Sequence, residues 1–224
     1  MVNSNQKPKL GGDEIDLRDL IPKLFDKGKI IGVCADVDQG KSNLIYNLIH
    51  ELKSKWMFNE NNLYSYALPI WMGEQKIKSV EELELIQNSV IILDEFFMFL
   101  DLDDRKKVKQ LAAMMQRVKH ANNVVIMCGL PFNFNKFISS QMEIKIYKQT
   151  TLKNLINGSP MKDVITSYTG SEKGSAILRL DKNQALVYGI KNEKTGIPHY
   201  QMVNIPHMRE YDVKRLLPPI LVNR

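Results

Sequence analysis

Lys29-Ile30-Ile31-Gly32-Val33-Cys34-Ala35-Asp36-Val37-Asp38-Gln39-Gly40-Lys41-Ser42 is the stretch on which the reading of this chain turns. Lys29 to Cys34 is a short, apolar, β-branched run, the signature of a buried strand. From Ser42 to Trp56 the period changes: Leu44, Ile45, Leu48, Ile49 and Leu52 recur on one side of an amphipathic helix. The few residues between form a tight turn from strand to helix. There, successive backbone N–H groups and the positive helix end can converge on one point.

The residues of that turn match the geometry. Ala35 to Ser42 fits the Walker A form, with alanine replacing the first glycine. Gly40 permits close backbone approach, Lys41 supplies a point charge to the β- and γ-phosphates, and the Ser42 hydroxyl completes a magnesium shell. Nucleotide contacts are therefore expected from Ala35, Asp36, Val37, Asp38, Gln39, Gly40, Lys41, Ser42 and Asn43. Asp36 and Asp38 are unusual in a loop that attracts a polyanion, and both side chains are expected to face outward.

Working outward, Asp13 to Asp26 carries Ile15, Leu17, Leu20, Ile21, Leu24 and Phe25 at helical spacing, ended by Gly28. Leu63 to Trp71, Val90 to Leu93, Val124 to Cys128 and Ile144 to Tyr147 read as further strands. Ser79 to Gln87, Leu102 to His120 and a turn at Thr151 to Leu155 read as helical. Strands alternating with helices at this interval argue for an α/β fold, with a mainly parallel sheet covered on both faces. Residues 1–12 read as a flexible tail and 13–157 as the core. Residues 158–224 read as a β-rich extension of the same domain, in which Ala176 to Leu180 and Gln184 to Ile190 flank Asp181-Lys182-Asn183 as a hairpin. Leu216 to Val222, with Pro218-Pro219, could dock on the body or on a neighbouring subunit.

Val90-Ile91-Ile92-Leu93-Asp94-Glu95 is an apolar strand ending in two acids, the Walker B form. Such a strand delivers both carboxylates to the C-terminal edge of the sheet, where open α/β sheets bind ligands. Asp94, with Ser42, is suited to hold Mg2+, and Glu95 to polarise the attacking water. A glutamate beside the Walker B aspartate is similar to the additional-strand, catalytic-glutamate division of P-loop enzymes. No Asn-Lys-x-Asp tetrad for guanine is present, so ATP is the expected nucleotide.

Beyond the acids come Asp101 to Asp104, Arg105-Lys106-Lys107, Gln116-Arg117-Val118-Lys119-His120, the strand at Val124 and Gly129-Leu130-Pro131. This order resembles the HerA/FtsK superfamily of DNA-pumping ATPases, which includes viral genome-packaging ATPases and the related Zot-like phage proteins, over roughly residues 29–147. The resemblance implies a P-loop three-layer sandwich and a ring oligomer, a hexamer or pentamer, that packages double-stranded viral DNA and contacts capsid proteins. Arg117 matches the family's arginine before the fourth strand and is the first candidate for completing a neighbour's site, with Arg105 the second. Gly129 stands where the family's sensor glutamine falls, which shifts sensing to Asn133 or Asn135. Zot-like proteins carry a membrane span that is not visible here, so the small packaging ATPases are the better match.

Composition agrees without deciding. A net charge of +6 permits association with nucleic acid, and a hydrophobic fraction of 44% supports an ordinary globular core. No apolar run approaches the roughly 20 residues of a spanning helix and no secretory signal is visible, so a soluble, cytoplasmic protein is expected. Cys34 and Cys128 fall in strands as small buried hydrophobes, and the four histidines show no zinc spacing. Phe96, Phe97, Met98 and Phe99 with Met114 and Met115 read as core or subunit packing in preference to base stacking. Two other functions fit the same motifs: a small-molecule kinase, and a nucleotide-dependent assembly switch with little turnover.

Overall fold

The computed structural model describes residues 15–17, 19–20, 28–56, 63–66, 75–77, 79, 81–96, 104–134, 136–151, 177–191 and 198–208. Its strands are β1 (Ile15–Asp16), β2 (Ile30–Cys34), β3 (Leu63–Tyr66), β4 (Gln75–Lys76), β5 (Val90–Leu93), β6 (Val124–Gly129), β7 (Ile144–Tyr147), β8 (Gln184–Lys191) and β9 (Pro198–Asn204). The helices are α1 (Lys41–Trp56), α2 (Arg105–His120) and the single turn α3 (Lys136–Ser139). All described strands join one sheet in the order β1-β9-β8-β7-β2-β6-β5-β3-β4. Pairing is parallel from β7 through β4, and β8 alone runs against the others.

Side-chain alternation along the central strands builds two cores, one on each face of the sheet. Ile31, Val33, Ile92, Ile126 and Cys128 pack under Leu44, Ile45, Leu48 and Ile49 of α1. Ile30, Cys34, Ile91, Leu93, Val125 and Met127 pack against Val108, Leu111, Met114, Met115 and Val118 of α2 and Ile138 of α3. The result is the expected three-layer α/β sandwich. Strand β6 lies between β2 and β5, which is the additional-strand arrangement of P-loop NTPases.

Helix α2 starts later than its periodicity suggests. Asp104 caps it, accepting from the N–H groups of Lys106 and Lys107 at 2.9 and 3.2 Å, which satisfies two of the orphan donors of the first turn. Asn123, fully buried, anchors the other end: its amide donates to the Ile86 and Val118 carbonyls while its Oδ1 accepts from Ser89 N–H.

Four local readings are corrected. Glu81–Leu85 forms a 3-10 helix in place of an α-helix over 79–87, and Ile177–Arg179 forms another in place of a strand over 176–180. In both, the buried anchors are three residues apart, Leu83 with Ile86 and Ile177 with Leu180, a spacing that eclipses on a three-residue turn. The hairpin consequently shifts along the chain, and β8 pairs antiparallel with β9 instead. Ile15–Asp16 is a strand because its backbone pairs with Val203 and Asn204, while Leu17 and Leu20 bury as the helical spacing anticipated. The expectations for 1–12, 152–155 and 216–222 lie outside the described residues.

Candidate functional site

Between β2 and α1 the chain makes a tight loop over residues 35–40. Ala35 is fully buried, and its N–H donates to the Gly129 carbonyl at 3.2 Å, tying the start of the loop to the end of β6. Asp38 (φ 60°) and Gly40 (φ 78°) are both left-handed, and such alternation turns successive N–H groups into an anion-binding concavity. Aspartate tolerates this region better than most residues. At Gly40 a side chain is also excluded by space: a Cβ there would lie 2.7 Å from the Lys182 carbonyl oxygen.

The loop acids behave differently from each other. Asp38 is exposed, as expected. Asp36 is half-buried and its Oδ2 accepts from Thr150 Oγ1 and Thr151 N–H, both at 2.8 Å. Its charge is thus turned onto donors beyond β7, which corrects the expectation that it faces solvent.

On the other side of the loop, Lys41 Nζ lies 3.5 Å from Asp94 Oδ1. Burial pushes the Asp94 carboxyl above its ordinary value, and Glu95 adds to the effect, while the neighbouring Lys41 ammonium opposes it. Glu95 is exposed at φ 52°, and its N–H donates to Asp94 Oδ1 at 3.1 Å. A non-glycine residue held left-handed costs on the order of 1–2 kcal/mol, and strain of this kind concentrates at functional sites. A hard cation fits here: the Ser42 hydroxyl and the desolvated Asp94 carboxylate are oxygen donors on one cleft.

That cleft, about 490 Å³, is lined by Asp36, Val37, Asp38, Gly40, Lys41, Ser42 and Asn43, and by Asp94 and Glu95. Leu130, Lys182, Asn183 and His207 complete the lining, and the last three lay outside every site motif. Asn43, which lines the cleft, also ties the loop region to another segment. Asn43 directs its amide to the chain after β9, donating to the Pro206 carbonyl at 3.1 Å and accepting from Met208 N–H at 2.8 Å. Gln39 leaves its buried Oε1 without a hydrogen-bond partner among the described residues.

Lys148 was also unmarked. It is fully buried just past β7, and its Nζ donates to the carbonyls of Lys182 (2.6 Å) and Gln184 (2.8 Å). Burial lowers its pKa to about 8.

The arginines stand elsewhere in this chain. Arg105, exposed, opens α2 at the cleft edge of the sheet. Arg117 lies three turns on, roughly 18 Å along the helix axis, where it pairs with Glu84 of the 3-10 segment. At the sensor position, a Cβ on Gly129 would meet Phe96 Cε1 at 3.0 Å and Phe134 Cε2 at 3.4 Å; the Phe96–Phe134 contact occupies the space a longer side chain needs. Asn133 is buried with Nδ2 unpartnered among the described residues, and Asn135 lies outside them. Phe96, Met114 and Met115 are core residues, in line with the packing reading, while 97–99 are outside the described residues.

No family model matches the chain, and no curated protein does. Solved structures do. The chain is similar to B204, the DNA-packaging ATPase of Sulfolobus Turreted Icosahedral Virus, at 14% identity and TM-score 0.53, over 79% of this chain and 98% of that one. It is similar to the genome packaging NTPase B204 of Sulfolobus turreted icosahedral virus 2 in complex with sulfate, at 12% identity and TM-score 0.55, over 82% and 100%. The same NTPase in complex with ATP-gammaS matches at 13% identity and TM-score 0.52, over 77% and 96%. These likenesses show the fold: a P-loop NTPase sandwich like that of the B204 structures. No helix among the described residues is long and apolar enough to cross a membrane.

Proposed function

We propose that this chain is a magnesium-dependent ATPase that works as a ring oligomer to move double-stranded viral DNA into a capsid. The observation that carries the proposal is the approach of Lys41 to Asp94 across β6, at the mouth of a left-handed phosphate loop. The similar B204 proteins are described as genome-packaging enzymes, one of them in complex with ATP-gammaS.

In this reading the loop amides and Lys41 hold the β- and γ-phosphates, and Ser42 and Asp94 hold the cation. Magnesium, when bound, supplies positive charge to the phosphate oxygens. Glu95 accepts a proton from the water whose oxygen attacks the γ-phosphorus, and the bond to the bridging oxygen breaks to release ADP. Lys41 stabilises the charge that develops on the transferring group. Arg117 or Arg105 of a neighbouring copy would complete the site in trans.

The deciding measurement is ATPase rate against protein concentration, with and without duplex DNA, for the parent chain and for Arg117→Ala and Arg105→Ala. A motor shows a rate per subunit that rises with assembly and with DNA, and falls by about a thousandfold when the trans arginine is removed. A rate independent of concentration and of DNA would sink the motor reading. A small-molecule kinase would turn over only with a phosphoacceptor, and an assembly switch would bind ATP with little turnover.

A further inference from the structure

The nucleotide cleft has two unlike ends, and the sheet order separates them. Asp94 and Glu95 reach the loop from the β6–β5 side of β2, whereas Lys182, Asn183 and His207 reach it from the β7–β8 side. A triphosphate whose terminal phosphate lies by Asp94 and Glu95 therefore points its nucleoside toward the second group.

This second wall is built, not loose. The turn before β8 closes through Gln184 N–H to the Asp181 carbonyl at 2.9 Å, and Lys148 grips it from below through the carbonyls of Lys182 and Gln184. The segment after β9 is tied to that turn by Ile205 N–H donating to the Asn183 carbonyl at 2.6 Å. It is tied to α1 by the amides of Asn43 and Asn47, both donating to the Pro206 carbonyl. Every one of these bonds uses backbone of the wall, so Asn183 and His207 present exposed side chains on a fixed support.

We propose that Asn183 and His207 recognise the nucleoside of the bound nucleotide and set its base specificity. This rests on the reading of the Lys41 loop as a nucleotide site. The chemistry fits adenine: a side-chain amide offers a donor and an acceptor side by side, the complement of the pair that adenine displays at N6 and N7. The imidazole of His207 supplies a flat face on which a base stacks. Lys182 adds a cation beside the phosphate chain. The C-terminal residues thus turn a general phosphate loop into a nucleotide-selective one.

Binding of ATP, GTP, CTP, UTP and inorganic tripolyphosphate, each with magnesium, tests this by calorimetry on the full chain and on Asn183→Ala, His207→Ala and Lys41→Ala. The parent is expected to bind ATP more tightly than tripolyphosphate and the other nucleotides. Asn183→Ala and His207→Ala each weaken ATP by about tenfold, the scale of one base contact, and narrow its lead over GTP. Their tripolyphosphate affinity stays at the parent value, which also reports that they fold. Equal affinity of the parent for ATP and tripolyphosphate, or an undiminished ATP preference in both variants, overturns the proposal while leaving the phosphate site intact. If Lys41→Ala leaves all five ligands unaffected, the nucleotide site itself is wrong and this proposal falls with it.

Discussion

Lys41 Nζ and Asp94 Oδ1 are 3.5 Å apart although a complete strand, β6, separates β2 and β5, the strands that they follow. The strand register makes this possible. Leu93 and Gly32 both pair with Met127, so β5 ends level with Gly32, two residues short of the end of β2, and Asp94 starts beside the last residues of β2 on the other side of β6. The first helical residue after β2 then reaches across to the first residue after β5.

Asp94 must be ionised to hold a cation, and burial raises its pKa. The sign follows directly: activity rises with pH through a midpoint above the ordinary aspartate range. A kcat/KM profile places that midpoint, and an acid limb at or below the usual aspartate value would contradict the assignment. Asp94→Asn is expected to reduce turnover by about a hundredfold or more, the scale of losing one preorganised electrostatic group.

Glu95 combines an exposed carboxylate with a left-handed backbone. Glu95→Gln should retain ATP binding and lose about a hundredfold to ten-thousandfold in turnover, as expected for a general base. Glu95→Gly should lose the same activity while relieving the backbone strain, so that stability is held or gained by up to about 1 kcal/mol. A marked loss of stability in the glycine variant, read by urea unfolding, would show that the carboxylate is structural.

Gly129 sits against the Phe96–Phe134 contact. Introducing the glutamine found in the resembled family, Gly129→Gln, should overpack this face and cost about 1–3 kcal/mol. Gly129→Ala, whose Cβ already meets Phe96 at 3.0 Å, should cost less than the glutamine variant does. Thermal unfolding of both decides the order.

Lys148 is buried with its pKa lowered from 10.5 to about 8. A lysine depressed in the folded state binds fewer protons there than in the unfolded chain between those two values, so its contribution to stability rises with pH across that window. Below the window the cost of burying the charge is felt in full. The stability difference between the parent chain and Lys148→Met should therefore climb by up to about 3 kcal/mol from pH 8 to pH 10.5. A flat difference would mean that the ammonium is solvated.

Much of the candidate site was legible in the chain because its signals are local. A β-branched run meeting Gly40-Lys41-Ser42, and Val90 to Leu93 ending in two acids, are contiguous patterns whose strand ends must lie at the C-terminal edge of a parallel sheet. Length and spacing misled where anchors lay three residues apart: Leu83 with Ile86, and Ile177 with Leu180, look like helix or strand and form 3-10 turns. The pairing of β8 with β9, and of β1 with β9, was equally hidden, because backbone pairing between distant segments leaves no periodic trace.

By itself, then, the sequence determined the strand-to-helix turn at Gly40-Lys41-Ser42, the paired acids after β5 and the layered α/β class, since each depends on neighbours within a few residues. Tertiary structure alone decided what faces them. Lys182, Asn183 and His207 lie more than 100 residues beyond Lys41 in the chain and reach the cleft only through β7, β8 and β9 joining the sheet beside β2. The same long-range assembly turned Asp36 onto Thr150 and set the Phe96 and Phe134 rings tightly against Gly129. Those outcomes depend on which strands pair at which register, and that is set by which side chains bury on each face once remote strands meet, not by local propensity.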